Sequence, residues 1–307
     1  MDGLPTAADV RDAALRIAGT VRRTPIVSVN GASMGAPQLD NVVLKLEYLQ
    51  HSGSFKARGA ANFMLTNEIG PAGVVAASGG NHGAAVAWAA REAGHKATIF
   101  VPTISSPAKV ERLHHFGAEL HQVGDVYGES FVESERFRAE SGATGIHAYN
   151  HPDVLAGAGT TGLEFLEQTG GLDTILVSCG GGGLAAGMSF VTGDATRIIV
   201  CETERTAAYA AAVAAGEVVD VEVGGIAADA LGATRIGELA WRALRHVEAP
   251  SVLVTDDDVV AATEHLWTEF RIRVEPAAAT AAAALLAGAY VPEEREHVGL
   301  VLCGANV

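Results

Sequence analysis

The 307-residue chain has only three cysteines, Cys179, Cys201 and Cys303, far apart and without a C-x-x-C pair. That excludes a disulfide framework and a thiolate zinc site, and leaves buried, reduced thiols as the expectation. Positive charge is scarce, with 21 Lys and Arg against 36 Asp and Glu and a net charge of -15. Gripping a phosphate backbone takes clustered basic residues, so nucleic acid is excluded as a partner. No apolar run approaches the ~20 residues that span a bilayer, and no membrane partner is expected. The amino terminus, M-D-G-L-P-T-A-A-D-V, has an acidic residue where a secretory signal needs positive charge, so a cytoplasmic location is expected. No low-complexity tract, internal repeat or Pro/Gly/Ser linker interrupts the chain.

What is present is an alternation of short β-rich runs with longer Ala-rich segments, the pattern of βαβ units. It predicts strands over 42–46, 74–78, 97–101, 119–123, 174–179, 197–202 and 298–303. Helices are predicted over 7–18, 57–65, 83–93, 107–116, 128–141, 160–169, 184–192, 207–215, 236–243, 256–270 and 276–287. The class is α/β. Residues 70–146 contain three strand and helix pairs and are expected to form a small domain with its own sheet. Residues 1–69 and 147–307 then make up the larger domain.

Three glycine-rich turns each follow a predicted strand, where parallel α/β proteins hold anionic ligands. Ser78-Gly79-Gly80-Asn81-His82-Gly83 follows V-V-A-A. Taken alone it is equally a carboxylate-binding turn or a tight strand-to-helix turn capped by Asn81. Cys179-Gly180-Gly181-Gly182-Gly183-Leu184 follows T-I-L-V-S. Four glycines between a buried strand and a helix cost chain entropy, and a phosphate cradle of backbone N–H groups explains them better than a spacer. They match neither a nucleotide P-loop, since no Gly-Lys-Ser/Thr follows, nor a spaced G-x-G-x-x-G. The third turn, Cys303-Gly304-Ala305-Asn306-Val307, follows H-V-G-L-V-L. Upstream lies K-L-E-Y-L-Q-H-S-G-S-F-K-A-R-G-A, residues 45–60. A lone lysine is ordinarily a solvated surface residue, but Lys56 opens a helix, where a depressed amine pKa suits imine formation.

In this combination and order the motifs resemble the fold-type II (tryptophan synthase β-like) pyridoxal-phosphate enzymes, in the branch of threonine and serine dehydratases and serine racemase. The resemblance implies two open, parallel-type sheets, each flanked by helices, with pyridoxal 5'-phosphate as cofactor and a homodimer acting on a small amino acid. By the same resemblance Lys56 carries the cofactor as a Schiff base and Phe55 packs against its ring. Asn81 bonds its 3-hydroxyl, Gly180, Gly181, Gly182, Gly183 and the Leu184 backbone cradle its phosphate, and Cys303 faces its pyridine nitrogen. Ser54, Ser78, Gly80, Asn81 and His82 fit the loops that bind the substrate carboxylate. Glu275 matches a position near the cofactor, although a Glu before Pro at a helix start is also a common capping arrangement. The implied reaction is elimination: Lys56, once freed, removes the Cα proton, the β-hydroxyl departs, and the product hydrolyses to a 2-oxo acid and ammonium.

The departures from the family pattern refine that expectation. Serine racemases resembling this chain place a serine, the second base, where Gly79 stands, which favours a dehydratase. Members with a cation site carry an aspartate after the strand ending at Glu202; Ala207 and Ala208 stand near that point, and no metal is expected. Cysteine synthases, a β-replacement alternative, resemble S-V-K-D-R rather than S-F-K-A-R. A non-catalytic binding protein of this fold has no need of Lys56. L-threonine and L-serine are the expected substrates, with 3-hydroxyaspartate and racemisation as alternatives. The chain ends directly after the third turn, so feedback control by a C-terminal regulatory domain is not expected. His51, His114, His115 and His121 have no spacing that requires a metal or catalysis.

Overall fold

The computed structural model describes residues 3–306, so Met1, Asp2 and Val307, the last residue of the third glycine turn, lie outside the described residues. In chain order the elements begin with α1 (Ala7–Ile17), β1 (Ile26–Asn30), β2 (Asn41–Lys45), α2 (Lys56–Thr66), β3 (Val74–Ala77) and α3 (Asn81–Glu92). They continue with β4 (Ala97–Val101), α4 (Pro107–His115), β5 (Glu119–Gln122), α5 (Tyr127–Ser141), β6 (Thr144–Gly145) and α6 (Pro152–Thr169). Next come β7 (Thr174–Ser178), α7 (Gly183–Thr192), β8 (Arg197–Thr203), α8 (Ala208–Ala215) and α9 (Ala228–Leu231). The chain closes with α10 (Glu238–His246), β9 (Ser251–Val254), α11 (Asp256–Phe270), α12 (Pro276–Leu286) and β10 (Val298–Val301).

The strands form two sheets, a six-stranded one in the order β1-β2-β10-β7-β8-β9 and a four-stranded one in the order β5-β4-β3-β6. Every pairing is parallel except β1 with β2 at the edge. The four-stranded sheet draws only on residues 74–145, and the six-stranded sheet draws on both flanking stretches. Strands such as T-I-L-V-S are buried at every position, as parallel strands covered by helices on both faces must be. Register fixes the site. Val298 pairs with both Val42 and Thr174, so β2, β10 and β7 end level and deliver Lys45, Cys303 and Cys179 to one edge.

The sequence pattern missed β1, β6 and β9. These are short, and β1 has a mostly exposed face at a sheet edge, so they carry little apolar signal. It also starts α6 eight residues late. Pro152 sits in the first turn and His151 caps it, its Nδ1 accepting from Asp153 N, and Gly157, Gly159 and Gly162 lie within the helix although glycine is a poor helix former. They are there for contact: a Cβ on Gly157 would lie 2.6 Å from the Arg58 carbonyl oxygen, and one on Gly159 2.5 Å from that of Gly187. α6 therefore packs backbone to backbone on α2 and α7. The helix predicted at 236–243 lies two to three residues later, at α10, because Gly237 caps it in extended geometry.

Candidate active site

Lys56 is the first residue of α2, following Phe55, which caps the helix without a side-chain hydrogen bond. Its Nζ donates to the Ala148 carbonyl at 2.7 Å, stands 5.2 Å from the Phe55 ring centroid and 5.9 Å from that of Tyr149. Burial pushes the amine pKa down to about 8, against the opposing pull of Cys303 and Glu275. A useful fraction of the amine is therefore neutral near physiological pH, as attack on a carbonyl requires.

The three glycine turns converge on this nitrogen. In the first, Gly80 caps α3 and its N–H donates to Ser78 Oγ at 3.3 Å, so the Ser78 hydroxyl is engaged within its own turn. Asn81 opens the helix, and its Nδ2 donates to Glu275 Oε1 at 2.7 Å. His82 Nε2 donates to the Ile146 carbonyl at 3.0 Å, and burial, with Lys56 nearby, lowers its pKa to about 3. It is a neutral imidazole. In the third turn, the Asn306 N–H donates to Glu275 Oε2 at 2.8 Å. Glu275 caps α12 without a side-chain bond to its own helix, so its carboxylate is free to tie Asn81 to the C-terminal segment. Burial raises its pKa although both hydrogen bonds work in the other direction. Cys303 is buried, its thiol held protonated by that burial, and its carbonyl accepts from Phe55 N at 3.1 Å.

The tetraglycine turn leads into α7, whose first N–H groups have no helical partner. Each glycine is required by its surroundings. A Cβ on Gly180 would lie 2.8 Å from Leu231 Cα, one on Gly181 2.5 Å from the Tyr149 ring, and one on Gly183 2.9 Å from Tyr149 Cβ. Gly182 adopts φ +84°, and a side chain there would meet Ile236 Cδ1 at 2.5 Å. Leu184 itself is buried in the core, so it can offer a ligand only backbone. Tyr149, Leu231 and Ile236 were not legible as site residues. Tyr149 and Ile236 come from loops and Leu231 from the end of the one-turn α9, none with motif character, and they matter because they press on the glycines.

Among the described residues, the buried polar atoms without a partner in this region are Ser52 Oγ, Ser54 Oγ, Asn81 Oδ1 and Asn306 Nδ2. A native fold leaves few such groups, so each calls for a ligand or water. Together with a neutral-leaning amine and a side-chain-free turn at a helix N-terminus, they fit an aldehyde-bearing aromatic phosphate such as pyridoxal 5'-phosphate. Glu202, by contrast, is engaged as a helix cap. Its carboxylate accepts from Tyr209 N, Ala210 N and Ser251 Oγ at 2.7–3.0 Å, and burial pushes its pKa up to about 7. The three cysteines are free and buried.

Comparison with known proteins agrees with this geometry. The family described as pyridoxal-phosphate dependent enzyme matches residues 17–304. Serine racemase of Oryza sativa subsp. indica is 32% identical over 97% of this chain and 90% of its own. A putative threonine dehydratase of Sinorhizobium fredii is 36% identical over 95% and 89%. The solved structure of maize serine racemase superposes with a TM-score of 0.92 at 32% identity, covering 98% of this chain and 94% of its own. The chain belongs to the pyridoxal-phosphate dependent enzymes, in the fold-type II branch that holds the threonine and serine dehydratases and serine racemase.

Proposed function

We propose that this enzyme eliminates water from a small hydroxy amino acid, L-threonine or L-serine, and that hydrolysis of the resulting enamine takes up water again and releases ammonium and a 2-oxo acid. The observation that carries the proposal is the Lys56 amine, with a lowered pKa and a single hydrogen bond, set against Cys303. When bound, the cofactor supplies an electron sink for the Cα–H bond. Lys56 holds it and then, as a free amine, takes the Cα proton. The cradle from Gly180 to Leu184 binds its phosphate and Asn81, oriented by Glu275, bonds its ring oxygen. Ser54 Oγ and the turn from Ser78 to His82 receive the substrate carboxylate. The Cys303 thiol stays protonated and cannot, as an aspartate would, keep a ring nitrogen charged, which favours fast departure of the β-hydroxyl.

Elimination is preferred over racemisation because Gly79 offers no second base and the neighbouring Ser78 hydroxyl is already engaged by Gly80 N. We read the chain as two domains, 70–146 and the remainder, with the site in the cleft between the sheets. The test is direct. Purified protein is incubated with L-threonine, L-serine or 3-hydroxyaspartate, and 2-oxo acid and D-isomer are measured separately. The expected result is 2-oxo acid from L-threonine or L-serine, lost in Lys56→Ala together with the borohydride-sensitive visible absorbance. D-isomer formed faster than 2-oxo acid would make the chain a racemase instead.

A further inference from the structure

Behind Lys56, on the side away from the cleft, lies a cluster of four charged side chains withdrawn from water. The side chains of Lys45 and Glu47 are 0% exposed, Arg58 2% and Glu164 11%. Arg58 grips both carboxylates: Nε and Nη2 donate to Glu47 at 2.9 and 2.7 Å, and Nη1 and Nη2 to Glu164 at 3.1 and 3.0 Å. Lys45 Nζ donates to Glu164 at 2.5 Å, to the Thr24 carbonyl at 2.8 Å and to Gln168 at 2.7 Å. Thr24 completes the set, its hydroxyl donating to Glu47 and its N–H to Glu164. Two cations and two carboxylates cancel. Lys45 and Arg58 occupy all four carboxylate oxygens but leave no charge to spare for a ligand.

Such a cluster is a poor way to gain stability, because desolvating four ions consumes most of what their attraction returns. Its value lies in geometry, since a guanidinium fork on two carboxylates admits one arrangement. Its members sit where geometry matters. Arg58 follows Lys56 by two residues, about 200° around a helix, so it anchors α2 from the face opposite the amine. Lys45 ends β2, where its carbonyl accepts from Leu302 N at 2.9 Å, one residue before Cys303. Glu164 lies on α6, whose glycines bring that helix against Arg58. Local capping does not do this work: Phe55 makes no side-chain cap, Ser54 Oγ is unpartnered, and Ser52 in the preceding turn has φ 55°.

We propose that the Lys45–Glu164–Arg58–Glu47 cluster fixes the first turn of α2, and so the Lys56 amine, relative to Cys303, with Arg58 as the central positioning residue. The proposal rests on the reading of Lys56 as the cofactor's lysine. The groups that face Lys56 are Cys303, Glu275, His82 and His147. None belongs to the cluster, but its field reaches Cys303 through Glu47, so the charge-preserving Arg58→Lys is the variant in which a changed amine reports a changed position.

The test uses cofactor-free protein of the parent, Arg58→Lys, Arg58→Met and Lys56→Ala. Each is mixed with pyridoxal 5'-phosphate across a pH series. The rate of capture is followed by visible absorbance, the bond is fixed with borohydride, and the labelled residue is mapped by mass spectrometry. Urea unfolding is recorded in parallel. Only the neutral amine captures, so the parent rate rises with a midpoint near pH 8. In Arg58→Met the midpoint is expected to move up by at least about one pH unit, with capture at neutral pH at least about tenfold slower; Arg58→Lys falls between. A weakened fold with an unchanged capture profile would overturn the proposal and leave the cluster merely structural. Where Arg58→Met does not fold, Arg58→Lys decides by the same comparison. A parent label found away from residue 56 would instead remove the functional reading, and this inference with it.

Discussion

Replacing Lys56 by methionine in the cofactor-free protein should stabilise it, in a way that depends on pH. Lowering the amine pKa from 10.5 to about 8 corresponds, at ~1.4 kcal/mol per pH unit, to roughly 3 kcal/mol held against the fold while the amine is charged. The Lys56 residue is only partly buried, and screening by water reduces the penalty to roughly 1–2 kcal/mol. Methionine is similar in length and carries no charge, and the lost hydrogen bond to Ala148 offsets part of the gain, about 1 kcal/mol. Below about pH 8 both the folded and unfolded parent bind the proton, and the penalty is full. Between about pH 8 and 10.5 the unfolded chain still binds a proton that the folded one has released, so the parent gains stability as pH rises. Lys56→Met should therefore unfold at higher urea than the parent near pH 7, with the difference closing by about pH 10. An advantage of equal size at both pH values, or none near pH 7, would refute the argument that the site stores strain as a desolvated amine.

Other consequences follow from single positions. Gly181→Ala places a methyl 2.5 Å from the Tyr149 ring; cofactor affinity by equilibrium dialysis should fall at least about tenfold, roughly 1.4 kcal/mol, with partial recovery in Gly181→Ala/Tyr149→Ala. Gly79→Ser should be accommodated, since a Cβ there meets nothing closer than Val101 Cγ1 at 3.5 Å. It should raise conversion of L-serine to D-serine, measured by chiral chromatography, while elimination persists; an unchanged D-serine yield would mean that the missing hydroxyl is not what limits racemisation. Glu202→Gln turns an amide nitrogen either toward the Tyr209 N–H or toward the Ala210 N–H and the Ser251 hydroxyl and should cost about 1–3 kcal/mol in urea unfolding. A chelator should leave the parent's melting temperature and activity unchanged.

Much of the site was legible because chemistry leaves few options there. Lys56 in S-G-S-F-K-A-R, the run from Gly180 to Gly183 and the turn from Ser78 to His82 all stood out by residue type and by position after a strand. Glycines needed for close approach are visible in sequence, but what approaches them is not. Tyr149 against Gly181 and Leu231 against Gly180 are contacts between segments separated by more than 30 residues, and H-A-Y-N and A-D-A-L carry no signal of them. The burial of Arg58 had no signal in the sequence. It follows from Gly59 on α2 and Gly157 on α6, which let the two helices close on each other.

By itself the sequence determined the α/β class, most helices and parallel strands, and the candidates for the chemistry, because hydrophobic period, glycine and a single lysine are local properties. Tertiary structure decided which carboxylate served which end. Glu202 became a helix cap, Glu275 the anchor of Asn81, and Glu47 with Glu164 the grip on Arg58. All four are glutamates, and their neighbours in the chain do not name the partners each will bond. What separates them is the set of donors that the sheet register and helix packing bring within 3 Å of each buried oxygen, and a buried carboxylate takes its role from the donors that surround it.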